Sequence, residues 1–234
     1  MDRVIHIIGN GDQAQLYNVV TQWTGNVKSV ENQMKSDGRI QNNRKGLKLT
    51  CNLPPFPVRD AYASCIVDFK MMMAIARGEI DVPGEWVLGW RPKIFMENNP
   101  MFHMKRAGQI KEFFTKKPNY VANYTDFNCG HMATYYALNK FNPTEINLYG
   151  FDSIFDMNLR SSSDFYMNSD RNAPQNVKLN GNWRPIWQSM FAEFPNVNFV
   201  LHHIHDNVKF PVGENVNIKV YARPQMNLVQ MPKK

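Results

Sequence analysis

The segment formed by residues 4–12 constrains the fold more than any other part of this chain. An apolar run over residues 4–8 stops abruptly at Gly9-Asn10-Gly11, and a helix-like pattern follows over residues 13–23. A strand, a glycine turn and a helix in this order open many nucleotide-binding α/β folds. The glycines let the backbone approach a phosphate, and the helix N-terminus presents free N–H groups. The third glycine of the dinucleotide fingerprint is absent, so the pattern predicts either another kind of anion site or a tight turn without a ligand.

Length and composition are those of one large globular domain. The chain has 234 residues, of which 43% are hydrophobic, enough for a core and too much for a disordered chain. No apolar run approaches the roughly 20 residues of a membrane span, and the N-terminus runs straight into a strand instead of a secretory signal. Cys51, Cys65 and Cys129 are odd in number and far apart. We therefore expect reduced thiols in a cytoplasmic protein, with neither a zinc spacing nor a disulfide framework.

Strand and helix patterns alternate along the chain. Strands are predicted at residues 4–8, 47–52, 62–67, 85–90, 145–150 and 198–203, with a short strand at 120–124 and an edge strand at 216–223. Helices are predicted at residues 13–23, 69–77, 100–117, 131–141 and 183–194. This order predicts an α/β fold, a mostly parallel Rossmann-like sheet with helices on both faces, in a single domain over residues 1–234. Residues 28–46 are predicted to form a basic loop and residues 153–182 a lid or insertion.

Four short motifs of this chain carry a family resemblance. They are Gly9-Asn10-Gly11, Cys51-Asn52, Asn128-Cys129-Gly130, and Gly150-Phe151-Asp152 after the strand at 145–150. Together they resemble the bacterial sialyltransferases of glycosyltransferase family 42 and related small Rossmann-like transferases. The resemblance implies a GT-A-like nucleotide-binding domain. It also implies a nucleotide-sugar co-substrate, UDP- or CMP-sugar, with no further cofactor required.

The resemblance also assigns residues to a donor site. The implied donor-binding residues are Gly9, Asn10, Gly11, Asp12, Asn52, Cys129, Gly130 and Tyr166, the last of which would steady the leaving phosphate. Two positions depart from the family pattern. Cys129 stands where a serine or threonine is usual, and residues 180–183 lack the histidine that serves the family as general base. A base must therefore come from another part of the chain.

Three side chains are candidates for that base. Asp152 directly follows a predicted buried strand, which would hold it rigidly, although a loop or helix cap explains it equally well. Asp68 follows another strand and has the same merit. His131 begins a predicted helix, and histidine suits proton transfer near neutral pH, although a structural histidine is the plainer interpretation. No metal is predicted: no Asp-x-Asp motif occurs, and only two of the histidines in residues 202–205 share a strand face.

Charge is unevenly distributed along the chain, whose net charge is +7. Residues 28–48 and 91–117 are basic, whereas residues 145–170 are acidic. The pattern predicts a polyanion-facing surface that includes Lys105, Arg106, Lys111 and Lys116, with ordinary solvated faces as the alternative. Composition rich in asparagine, lysine and methionine resembles that of large tailed phages, some of which glycosylate hydroxymethylated bases in their own DNA. A DNA acceptor in the host cytoplasm is the resulting hypothesis, and a saccharide or lipid-linked acceptor stays open.

Two other functions fit the same sequence. The first is a pterin-type pyrophosphokinase of a related Rossmann-like fold, with magnesium held by Asp68 and Asp152. The second is a non-catalytic DNA-binding protein that uses the predicted basic helix at 100–117. Magnesium-dependent ATP binding favours the first, and the absence of any nucleotide affinity favours the second.

Overall fold

The computed structural model describes residues 3–18, 46–54, 56–151, 154, 183–203 and 211–220. The strands are β1 (Val4–Ile8), β2 (Leu47–Cys51), β3 (Ala63–Ile66), β4 (Trp86–Leu88), β5 (Ile110–Phe113), β6 (Glu145–Tyr149), β7 (Asn198–His203) and β8 (Val216–Val220). The α-helices are α1 (Phe69–Ala76), α2 (Trp90–Asn98), α3 (Pro100–Arg106), α4 (Cys129–Phe141) and α5 (Trp183–Glu193). Two 3₁₀-helices cover Asp12–Asn18 and Ala107–Gln109. The predicted loop at 28–46 and lid at 153–182 lie outside the described residues, apart from Gly46 and Ile154.

The eight strands form one parallel sheet in the order β5-β4-β3-β2-β1-β6-β7-β8. From β1 to β5 the chain moves stepwise toward one edge, and α4 then carries it back across the sheet to β6, on the other side of β1. This is a Rossmann-like α/β fold, and the prediction of a mostly parallel sheet is confirmed. Among the described helices, none is long and apolar enough to cross a membrane.

Helices cover both faces of the sheet because its direction of winding reverses. Crossovers between parallel strands are right-handed, so a change in the direction of winding moves the connecting helix to the opposite face. Helices α4 and α5 pack on the face that carries Ile7, Leu49 and Leu148, whereas α1 packs on the face that carries Trp86 and Leu88. Burial on both faces explains why β1 is an almost continuous apolar run.

The prediction of one basic helix over residues 100–117 is wrong. The α-helix ends at Arg106, and after one 3₁₀ turn the chain enters β5. Residues 110–113 do not alternate in character, and they pair with β4 through a register shift between Trp86 and Val87. Met101 and Met104, expected on the apolar stripe of that helix, are 78% and 75% exposed. Tertiary pairing thus overrides a local pattern that reads as helical.

Smaller differences occur elsewhere in the chain. The strand predicted at 85–90 ends at Leu88, and Trp90 begins α2, a helix that the sequence did not predict. Residues 120–124 form an irregular segment between two turns instead of a strand. The first connection begins as a 3₁₀-helix instead of an α-helix, and residues 19–23 of that predicted helix lie outside the described residues.

Candidate functional site

The order of the strands reverses between β1 and β6, and ligands of α/β sheets bind beside such a point at the carboxyl ends of the strands. Here the two strand ends pack tightly against each other. The backbone N–H of Gly9 donates to the carbonyl of Tyr149 at 2.7 Å, and that of Gly11 donates to the carbonyl of Gly150 at 3.0 Å. A Cβ at Gly9 would lie 2.7 Å from the oxygen of Gly150. Glycine is therefore required at position 9 for this close approach, and the backbone N–H groups of both Gly9 and Gly11 are already used within the protein.

Asn10 lies between these glycines and is half-buried. The contact of its side chain with the donor stays a prediction. Asp12 belongs to the following 3₁₀-helix, but its side chain lies outside the described residues.

Asn52, directly after β2, is the first of a chain of polar groups at the carboxyl edge. Its backbone is left-handed, with φ +49°, and its side chain is 2% exposed. Its Nδ2 donates to Oδ2 of Asp68 at 3.2 Å and to Sγ of Cys129 at 3.4 Å. The carboxylate fixes the orientation of the amide, because only the nitrogen can donate to it. The opposite atom, Oδ1, is buried and has no hydrogen-bond partner within the described residues, so it is an acceptor open to a ligand or to water.

Asp68 and Arg91 extend this chain toward the surface. Oδ1 of Asp68 accepts a hydrogen bond from Nη2 of Arg91 at 3.0 Å, and the two side chains are 40% and 30% exposed. Asp68 follows β3 and Arg91 lies in the first turn of α2, beyond the end of β4. The carboxylate thus lies between a buried amide and a solvent-accessible guanidinium. Sequence reasoning missed Arg91 because the helix that positions it was not predicted, and only its first residue, Trp90, was assigned, to the end of a strand.

The N-terminus of α4 meets Asn52 and the end of β6. Cys129 is the first residue of this helix, and its sulfur contacts Asn52. A Cβ at Gly130 would lie 2.2 Å from the ring of Phe151, so glycine is needed for that ring to pack against the helix start. The structure therefore brings Asn52, Cys129 and Gly130 together, as the resemblance implies, and adds Asp68 to them. The positive end of the helix dipole lies beside this group.

His131 is fully buried in the first turn of α4. Its Nδ1 accepts from the backbone N–H of Asn128 at 3.2 Å, while Asn128 Oδ1 accepts from the backbone N–H of His131 at 2.9 Å. Its Nε2 lies 3.2 Å from the carbonyl of Trp183, so this nitrogen carries the proton. Burial lowers the pKa of His131 to about 3. A base role for His131 stays a prediction, and its geometry is that of a neutral helix cap.

The three cysteines lie near one another under this edge as free thiols. Cys51 and Cys65 are partners across β2 and β3. A hydrogen bond with Cys129 and burial raise the pKa of Cys51, and burial raises the pKa of Cys65, so both thiols are protonated and unreactive. Within the described ranges, no three histidine, cysteine or acidic side chains are placed to hold a metal ion.

The four cations predicted to face a polyanion do not form one surface. Arg106 pairs with Asp81 at 3.1 Å, and Lys111 pairs with Glu85, both at the amino end of β4. Lys116 follows β5 at the opposite, carboxyl end, and Lys105 is exposed on α3. Lys116 is therefore the member of the set that lies at the carboxyl end of the strands, as Asp68 does.

Two of the predicted site residues, Asp152 and Tyr166, lie outside the described residues, and their assigned roles stay predictions. No family model matches this chain, and neither does any curated protein or solved structure.

Proposed function

We propose that this protein is a glycosyltransferase that moves a sugar from a nucleotide-sugar donor to a hydroxyl acceptor. The observation that carries the proposal is the contact chain of Asn52, Asp68 and Arg91 beside the start of α4. It combines an unpartnered buried acceptor, a carboxylate and a cation at the edge where α/β sheets bind nucleotides.

Each group has a place in such a reaction. Sugar and base of the donor carry O–H and N–H groups that would satisfy Oδ1 of Asn52. The donor phosphate is anionic, and Arg91 and the N-terminal end of α4 offer it positive charge. Asn10 and Cys129 complete the proposed donor site.

Asp68 is the proposed general base. The acceptor hydroxyl gives its proton to the Asp68 carboxylate while its oxygen bonds to the anomeric carbon. The bond between that carbon and the donor phosphate oxygen breaks, and the phosphate leaves with the electron pair. The hydrogen bonds from Asn52 and Arg91 hold the carboxylate in one orientation. Asp152 stays the other candidate carboxylate, and a hydroxymethylated DNA base stays the proposed acceptor.

Donor binding is tested by thermal unfolding with UDP-, CMP-, GDP- and ADP-sugars. A ligand at 100 times its Kd stabilises the native state by about 2.7 kcal/mol, so one donor class is expected to raise the midpoint. The Asn52→Gly variant keeps the left-handed backbone and removes the amide, and it should lose that rise. Asp60→Gly is the matched control, because Asp60 also has a left-handed backbone, with φ +55°, but is exposed. Stabilisation by ATP and magnesium, with none by any nucleotide sugar, would contradict the proposal and favour a pyrophosphokinase.

Catalysis is tested separately with Asp68→Asn, which keeps the size of the side chain but removes its basicity. Once a donor is identified, this variant should retain the midpoint rise and lose transfer by about 100-fold or more. Full transfer by Asp68→Asn would show that the base lies elsewhere, with Asp152 as the next residue to replace.

A further inference from the structure

Trp90 and Tyr124 form an exposed aromatic stack next to Arg91. Their ring centroids are 5.5 Å apart and their planes differ by 16°. Trp90 is 40% exposed, which is unusual for a tryptophan, and Tyr124 is held in place because its hydroxyl donates to the carbonyl of Thr115 at 2.9 Å. The stack is therefore a pre-formed flat surface at the carboxyl edge of the sheet.

Cations surround this stack. Nζ of Lys93 lies 5.8 Å from the centroid of Trp90, and Nζ of Lys117 lies 5.7 Å from that of Tyr124. Lys93 also pairs with Glu97 at 2.6 Å, whereas Lys116 is exposed and forms no ion pair within the described part of the chain. Aromatic faces interleaved with lysines are the combination that binds bases and phosphates together.

A small cleft opens beside the stack, between the ends of β3, β4 and β5. Its apolar lining includes Val67, Phe114 and Met132, and its two charged lining residues are Arg91 and Lys116. Arg91 also contacts Asp68, so the cleft adjoins the proposed catalytic carboxylate.

We propose that this surface, formed by Trp90, Tyr124, Lys93, Lys116 and Lys117 and termed the Trp90 platform, binds an unpaired nucleotide of a nucleic acid. The base stacks on Trp90, and the lysines contact the flanking phosphates. A base within a duplex has both faces covered by its neighbours, so a nucleotide must be single-stranded or extruded to use such a surface. Its role as the acceptor site rests on the proposed glycosyltransferase function, whereas nucleic-acid binding itself does not.

The binding test uses a fluorescein-labelled 12-residue oligothymidine and a duplex of equal length, with fluorescence anisotropy as the readout. We expect Trp90→Ala to weaken binding of the single strand about 10-fold or more, the effect of losing one stacked base. Met101→Ala, which also removes a large exposed side chain, is the matched control and should bind like the wild type. Lys116→Ala should weaken binding and lower the salt slope by about one.

Stacking is read out independently by intrinsic fluorescence. The oligonucleotide should quench part of the tryptophan emission in the wild type, and Trp90→Phe should abolish that part while its unfolding midpoint shows that the variant is folded. Equal affinities of Trp90→Ala and Met101→Ala, or tighter binding of the duplex than of the single strand, would overturn the proposal. Trp90→Ala should still be stabilised by the nucleotide sugar. Loss of single-strand binding in Trp90→Ala, with no nucleotide sugar bound by the wild type, would refute the glycosyltransferase and leave the platform standing.

Discussion

Asn52 carries more structural constraints than any other residue of the candidate site. A left-handed backbone conformation is uncommon outside glycine, and asparagine tolerates it better than most residues do. The same residue places one amide atom against a carboxylate and leaves the other buried without a partner in the described structure. Strain and an unsatisfied acceptor on one residue are typical of a functional position.

At the residue scale, His131 gives a prediction for stability against pH. Its folded pKa, about 3, lies below the unfolded value near 6.5, so below pH 6.5 the unfolded chain binds a proton that the native state excludes. The native state therefore has its full stability with respect to His131 above pH 6.5, and it loses stability as the pH falls toward 3. We expect His131 to lower the free energy of unfolding by up to about 1.4 kcal/mol for each unit by which the pH falls between pH 6 and 4.

Urea unfolding at pH 7, 6, 5 and 4 measures this dependence. His131→Gln, which keeps an acceptor for the helix cap, should show a flatter pH dependence than the wild type. Titration of the His131 ring between pH 5 and 8, observed by NMR, would contradict the assignment of a buried neutral imidazole.

At the element scale, the packing of the first 3₁₀-helix on the end of β6 depends on Gly150. This residue has φ +75°, and a Cβ there would lie 2.6 Å from Cβ of Ala14. Gly78 has nearly the same backbone angle, φ +74°, but its surroundings are open within 4 Å. The two glycines therefore separate the cost of the backbone conformation from the cost of the close contact.

We predict that Gly78→Ala lowers the free energy of unfolding by about 1–2 kcal/mol, the cost of a left-handed alanine. Gly150→Ala should cost a further 1–3 kcal/mol or so, because the added methyl group overpacks the contact with Ala14. Chemical denaturation of the two variants gives both values. Equal losses would mean that the 3₁₀-helix shifts away from β6 at no cost.

At the scale of the whole molecule, the described sheet has a buried centre and partly exposed outer strands. Strand β6 is almost completely buried, whereas all four residues of β5 are half-buried and its register with β4 is irregular. We predict that amide hydrogens of β1 and β6 exchange only on global unfolding, while those of β5 exchange faster through local opening. Hydrogen exchange followed by mass spectrometry tests this order, and equal protection of β5 and β6 would contradict it.

The sequence predicted the centre of the fold better than its edge. Strand β1 is an almost continuous apolar run, β2 and β6 alternate between apolar and polar residues, and β7 has an apolar middle, so local pattern was enough to predict these strands. Helix α4 was found almost in full, since Asn128 and the apolar run after it mark its start. At the edge, β5 is half-exposed, and its residues resemble the amphipathic helix that was predicted there.

The same contrast holds for the candidate site. Asn52 and Asp68 were singled out because each is a polar residue at the end of a predicted strand, and the carboxyl ends of parallel strands meet at one edge. The sequence by itself thus determined the alternation of elements, the parallel sheet and the polar residues at the strand ends, because these depend on local pattern. Only the tertiary structure decided that Gly9 and Gly11 close the β1–β6 crevice and that His131 caps a helix. It alone placed Arg91 against Asp68 and Trp90 against Tyr124, because such contacts join residues far apart in the chain.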